Sequence, residues 1–196
     1  MTDIYPGKLS VVTAAVNMPV TLPEVRRHLR NPPEEDNDFI RSLIRASTRR
    51  AAHYQGRDYM TTVYNYYLDD FPVGRRIELP RPPLQSVASV KYQDADDAQQ
   101  TFSSSSYQVV TYTDEAGFIE VGSTSSWPMV YDKADAVAIQ FTSGYSAIHL
   151  VPETVKSAIK LFVEADYDRP MGPFYEYRKL VESAENLLGQ EIQLVA

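Results

Sequence analysis

The sequence predicts an α+β protein: helices at both ends of the chain form a bundle, and an antiparallel β lobe is inserted between them. Three observations predict this. Apolar residues recur at helical spacing within residues 21–60 and again within 147–189. Residues 61–146 instead hold short runs of alternating apolar and polar residues, separated by turn-forming clusters. Neither helical block is large enough to bury its apolar face alone, so the economical solution packs the two together.

Residues 1–20 read as an extended arm, with room for one strand. The stretch Leu9–Val16 imitates the core of a signal peptide, but it is short, broken by Ser10 and Thr13, and follows Asp3. Thr21-Leu22-Pro23-Glu24 is a capping box with proline in the first turn, and it opens a short helix to about Leu29. Pro32-Pro33 stops that helix. A second begins at Asp36 or Asn37, with Phe39, Ile40, Leu43, Ile44, Ser47, Ala51 and Tyr54 on one face and Gly56 as its stop.

The β region offers seven candidate strands: Val63–Leu68, Arg76–Leu79, Ser86–Tyr92, Gln99–Phe102, Tyr107–Tyr112, Phe118–Val121 and Ala136–Thr142. In the last, Val137, Ile139 and Phe141 alternate with Ala136, Ala138 and Gln140, the period of a half-buried strand. Asp69-Asp70-Phe71-Pro72 and Asp94-Ala95-Asp96-Asp97 are turn-rich separators. Pro152-Glu153 opens a third helix, with Val155, Ala158, Ile159, Phe162, Val163 and Tyr167 on one face, and Pro170 ends it. A last helix carries Tyr177, Leu180, Val181, Ala184, Leu187 and Leu188. Gly189 is read as its stop, leaving residues 190–196 as a tail.

Composition narrows the chemistry. The 196 residues include no cysteine, which excludes a disulfide framework, a thiol nucleophile and any cysteine-based metal site. Aromatics at 11% exclude global disorder, and no apolar run approaches the ~20 residues of a membrane span. The net charge of −7 argues against general coating of nucleic acid. The charge is uneven: residues 1–60 carry 9 Lys/Arg against 7 Asp/Glu, whereas 61–150 carry 5 against 11.

No catalytic, cofactor or metal-binding residue stands out. His28, His53 and His149 lack metal-ligand spacing, and the eight glycines form no phosphate-cradling loop. Asp69-Asp70 and Asp94, Asp96 and Asp97 read as turn residues rather than paired acids or a calcium loop. Arg41, Arg45 and Arg49 form one stripe on the second helix, widened by Arg50 and by Arg26, Arg27 and Arg30. The stripe is either a solvated face or a docking surface for an acidic partner, such as the β lobe of a neighbouring copy. The tail alternates Ile192 and Leu194 with Glu191 and Gln193. Ile192, Leu194 and Val195 are candidate apolar anchors for a partner or a neighbouring subunit.

Several landmarks occur in a telling order. They are Leu22-Pro23-Glu24-Val25 through His28-Leu29-Arg30, Tyr54-Gln55-Gly56-Arg57, and Leu68-Asp69-Asp70-Phe71-Pro72. There follow Ile77-Glu78-Leu79-Pro80-Arg81-Pro82-Pro83-Leu84-Gln85-Ser86-Val87, Val90-Lys91-Tyr92, Phe141-Thr142-Ser143-Gly144-Tyr145 and Val151-Pro152-Glu153. Over roughly residues 18–170 this set resembles the head-to-tail connector, or adaptor, proteins of long-tailed bacteriophages and gene transfer agents. The arm and the last helix match no motif of that family. The resemblance implies a structural virion protein without catalysis or cofactor. It would form a ring, usually of twelve copies, in the virion neck, assembled in the bacterial host cytoplasm. The ring would bind the portal protein above and a stopper or tail-completion protein below, and DNA would pass through its channel without sequence-specific binding. It implies no membrane. The residues themselves leave open another neck or tail-completion component, a carbohydrate-binding module resting on the tyrosines, and a hydrolase using paired aspartates. Arg81-Pro82-Pro83-Leu84 is expected to be extended, because proline restricts both itself and the residue before it.

Overall fold

The structure, a computed structural model, describes residues 6–112, 115–168 and 174–193. It is an α+β fold. In chain order its elements are β1 (Lys8–Thr13), α1 (Leu22–His28), α2 (Asn37–Gln55), β2 (Thr62–Leu68), β3 (Arg76–Glu78) and β4 (Leu84–Gln93). Then come β5 (Gln99–Phe102), β6 (Tyr107–Val110), β7 (Phe118–Val121), β8 (Val137–Ser143), α3 (Glu153–Asp168) and α4 (Phe174–Gln193). The chain divides into two compact units. One contains residues 1–15 and 61–144, the other residues 16–60 and 145–196.

The first unit is built from two antiparallel sheets. One has five strands in the order β1-β2-β8-β4-β5, the other three in the order β3-β7-β6. Strands β2 and β8 pair in full register from Thr62↔Ser143 to Leu68↔Val137. Both alternate strictly between buried and half-buried residues. Their inward set is Tyr64, Tyr66 and Leu68 with Val137, Ile139 and Phe141, and Ile77, Leu84, Val90 and Ile119 join it from the other strands. The two sheets therefore share one core. Beside it, Phe71 stacks on Trp127 with ring centroids 4.8 Å apart, and Phe102 stacks on Tyr107 at 5.8 Å. The arm's strand belongs to this unit: β1 pairs with β2 from Lys8↔Tyr67 onward, with an irregularity between Val11 and Thr13. Gly7 makes the entry close, since a Cβ there would lie 2.4 Å from the Tyr67 carbonyl oxygen.

The Arg81–Leu84 expectation is corrected. Arg81 takes φ 65°, the Pro82–Pro83 peptide is cis, and the segment is a bend leading into β4. Proline bars the preceding residue from the right-handed helical region, and Arg81 escapes to positive φ instead of to the extended region.

The second unit is helical. The capping box of α1 is present in full. The Thr21 N–H donates to Glu24 Oε2 at 2.7 Å, and the Glu24 N–H donates to Thr21 Oγ1 at 3.4 Å. Helix α2 ends where its glycine permits: Gly56 has φ 66°, and the Arg57 N–H donates to the Ala52 carbonyl at 3.2 Å. Helix α3 buries Val155, Ala158, Ile159, Phe162 and Val163 completely, and α4 buries Ala184 and Leu188. Helix α2 faces them with Ile40, Ile44, Ser47 and Ala51. The buried stripe is narrower than the spacing predicts. Phe39 and Tyr54 lie on its margins and are 48% and 46% exposed, and Leu43 is half-buried. Phe39 instead meets Tyr167, with centroids 6.1 Å apart.

Gly189 does not end α4, which continues to Gln193. A helical glycine costs only about 1 kcal/mol relative to alanine. The turn is also held by α2, where Gln55 donates to the Leu188 carbonyl at 2.8 Å. Pro170 lies outside the described residues.

Two stability predictions follow from the helical unit. Phe162→Ala is expected to cost about 3–5 kcal/mol in urea unfolding, whereas Phe39→Ala costs about 1 kcal/mol because it loses only a surface aromatic contact. The Glu24 carboxyl is held below the ordinary glutamate range, chiefly by the Thr21 hydroxyl and then by the Thr21 N–H. A lowered pKa gives stability that is fully present above the unfolded-state value and lost as pH falls through the folded one. Thr21→Ala should therefore cost about 1 kcal/mol at neutral pH. That cost should shrink as the buffer is taken below the ordinary glutamate range, as read by the same unfolding assay.

Candidate interaction surfaces

Helix α2 carries the arginine stripe, and the structure separates its members by what each is already doing. Arg50 is committed internally. It donates to Glu185 Oε1 at 3.0 Å, and its guanidinium lies 4.2 Å from the Phe162 ring centroid. Arg26 is also committed: it reaches the Pro32 carbonyl at 2.8 Å and the Pro33 carbonyl at 3.3 Å, tying α1 to the loop before α2. Arg41 is exposed and pairs with Asp38 one turn earlier at 2.6 Å. Arg45 and Arg49 are exposed on the same face of α2, and Arg27 and Arg30 are exposed near the end of α1. Among the described residues these four form no ion pair. The stripe thus comes down to Arg45 and Arg49 as free cations, with Arg41 beside them. Ile192 falls within α4, while Leu194 and Val195 lie outside the described residues.

Several aspartates of the β unit serve its turns. Asp94 Oδ1 accepts from the Asp96 and Ala98 N–H groups, both at 3.0 Å, and its Oδ2 accepts from Gln100 at 2.7 Å. These bonds, that from Gln100 foremost, hold its carboxyl below the usual aspartate range. Asp97 takes φ 59° and pairs with Lys133. Asp69 accepts from the Asp135 N–H at 2.9 Å, and Asp70 accepts from the Phe71 N–H at 2.7 Å. Adjacent in sequence, these two carboxylates cap different turns and do not converge.

The histidines are placed separately. His28 Nε2 lies 2.7 Å from Glu164 Oε2, linking α1 to α3. Among the described residues no three His, Asp or Glu side chains are grouped to hold a metal ion. No described helix is long and apolar enough to cross a membrane.

No protein-family profile matches the chain, and no curated protein matches it. Solved structures do. The chain is similar to one in the virion of a native gene transfer agent particle, with a TM-score of 0.71 and 21% identity over 89% of this chain and 93% of that one. It is similar to a chain in the neck of an empty gene transfer agent particle, computed with C6 symmetry, with a TM-score of 0.71 and 20% identity over 90% and 94%. A chain in the neck of the native particle, computed with C12 symmetry, gives a TM-score of 0.65 at 20% identity over the same shares. The α+β fold described above is therefore shared, nearly end to end, with chains of these particles.

Proposed function

We propose that this protein is a structural subunit of the neck of a phage-like particle or gene transfer agent. In this reading it is a head-to-tail adaptor that forms a ring, of twelve copies, beneath the portal. It extends the DNA channel and presents a platform for the stopper and tail, and it has no catalytic role. The observation that carries the reading is the nearly end-to-end match to chains of gene transfer agent particles, two of them from necks computed with C6 and C12 symmetry. The ordered landmarks between Leu22 and Glu153 point the same way.

A rotational ring needs a heterologous contact, in which one face of each copy meets a different face of the next. Arg41, Arg45 and Arg49 are proposed as part of one such face, because exposed cations steer and orient an acidic partner. Arg45 and Arg49 are outside any ion pair among the described residues, while Arg41 is held only by the exposed Asp38. The β unit supplies the opposite sign, with Asp70, Asp94 and Asp96 exposed or half-buried and outside any ion pair among the described residues. The neck reading is tested by mixing the purified chain with portal-bearing heads and imaging the product. A ring at the portal vertex supports it, and a chain that stays monomeric and unbound overturns it.

Changing Arg41, Arg45 and Arg49 together to Glu should leave circular dichroism unchanged, since all three are exposed, and weaken ring formation in native mass spectrometry at low salt. Unchanged assembly would make the stripe a solvated face. Ile192, Leu194 and Val195 are proposed to help attach the subunit to the portal or a neighbour. Deleting residues 194–196 should leave the melting temperature nearly unchanged and reduce attachment to heads.

A further inference from the structure

Among the described residues strand β3 is the edge of its sheet, and its ladder is open on one side. On the closed side, Val121 donates to the Arg75 carbonyl at 3.0 Å and Leu79 donates to the Gly117 carbonyl at 2.9 Å. An antiparallel ladder alternates, so Ile77 also faces β7 while Arg76 and Glu78 turn their N–H and C=O groups outward. Among the described residues nothing hydrogen-bonds those outward backbone groups. Edges of this kind are usually covered or blunted. Here Pro72 and Pro80 bracket the strand and leave a three-residue opening.

Among the described residues a cavity of about 340 Å³ lies beside this opening, where all three β3 residues meet Pro6, Tyr66, Leu68, Asp70 and Pro72. A cavity of roughly 150 Å³ already takes a benzene ring, so this one accepts a Leu, Met or Phe side chain. Its rim is charged unevenly. Arg76 is neutralised by Glu120 at 3.2 Å and lies over the Phe118 ring. Asp70 and Glu78 are exposed and have no cationic partner among the described residues. The free charge around the cavity is therefore negative.

We propose that the open β3 edge and this cavity form a docking site for an extended, cationic polypeptide segment of a partner protein. The segment adds a strand to Arg76–Glu78 and seats one apolar side chain in the cavity. It turns a Lys or Arg residue two positions away, on the same face as the seated side chain, toward Asp70, while Glu78 alternates with Ile77 and adds negative charge on the other face of the added strand. Backbone pairing supplies affinity, and the cavity and its rim supply selectivity. A small molecule would use the cavity and leave the backbone edge idle, so the two features together specify a polypeptide. The site stands on the geometry of the β unit and does not depend on the neck reading.

The chain carries its own reporter. Trp127 is the sole tryptophan, it stacks on Phe71, and its indole N–H donates to the Gly74 carbonyl at 2.8 Å. It therefore braces the Asp70–Gly74 loop that lines the cavity. The full-length chain is titrated with end-blocked Lys-Val-Leu-Val-Lys, with Glu-Val-Leu-Val-Glu, and with the lysine peptide N-methylated at alternate amides. The lysine peptide is expected to change Trp127 emission saturably. Reversing its charges should weaken binding about tenfold, and N-methylation should abolish it. Glu78→Pro removes an outward N–H while leaving the β7 ladder intact, as an edge strand tolerates, and should abolish binding as well. If that variant does not fold, the N-methylated peptide on the unaltered chain decides. No saturable response, equal binding of the two charge forms, or undiminished binding of the N-methylated peptide overturns the proposal. So does sedimentation showing that the chain self-associates through this edge and that Glu78→Pro abolishes it, since the occupant would then be a second copy.

Discussion

The helical unit depends on burying the apolar face of α3 against a helix more than 100 residues earlier in the chain. Val155, Ala158, Ile159, Phe162 and Val163 are all fully buried, and the face that receives them includes Ile40 and Ile44 of α2. Closing the intervening Thr61–Gly144 segment costs entropy that grows only with the logarithm of its length, on the order of 4 kcal/mol plus a constant. Each large side chain buried at the contact returns roughly 1.5–3 kcal/mol, so a handful offsets the closure. An inserted β unit is affordable on these terms because it has a core of its own, centred on Tyr66, Ile119, Ile139 and Phe141.

Much of this was legible in the sequence because the signals were redundant. β8 announces itself by alternation, Val137, Ile139 and Phe141 against Ala138 and Gln140, and the pairing with β2 realises that alternation residue by residue. Thr21 and Glu24 identify a helix start from four letters, because only that spacing lets each side chain reach the other's backbone. What failed were inferences drawn from a single residue. Gly189 is a permitted stop, but whether a helix stops depends on what holds the next turn, and Gln55 holds this one. Phe39 and Tyr54 have the right spacing to be core. Spacing gives an angle around the helix axis but not the width of the facing surface, and that width excludes both. Arg81 before two prolines is barred from the helical region, and sequence offers no means of choosing between the two alternatives left to it.

The candidate surface was legible in outline and not in detail, for a related reason. Periodicity groups Arg41, Arg45 and Arg49, but it is blind to what each charge already meets. Arg50 is sequestered by Glu185 and Phe162, groups far away in sequence, and Arg26 by carbonyls of its own loop. Subtracting those leaves Arg45 and Arg49, a smaller and more specific feature than the stripe. The β3 edge was harder still. Nothing in Arg76-Ile77-Glu78 says that one side of the strand goes unpaired, because that depends on strand order, and strand order is set by β7 and β6.

These subtractions also bear on what kind of chemistry the molecule supports. A carboxylate can act as a general base only if it is free to take a proton at the working pH. Asp94 accepts three hydrogen bonds that stabilise its anion and pull its pKa down, the direction opposite to that of a tuned base. Asp69 and Asp70 are each tied to a backbone N–H of a different turn. Asp69, Asp70 and Asp94 thus help to shape loops. What remains uncommitted among the described residues is of another kind: arginines on an outer helical face, a short row of outward backbone groups on β3, and the exposed Glu78 carboxylate beside them. Each lies at the surface, open to solvent or to a partner. That unmet bonding capacity faces outward, whereas inside α2 the buried hydroxyls of Ser47 and Thr48 are left without a hydrogen-bond partner.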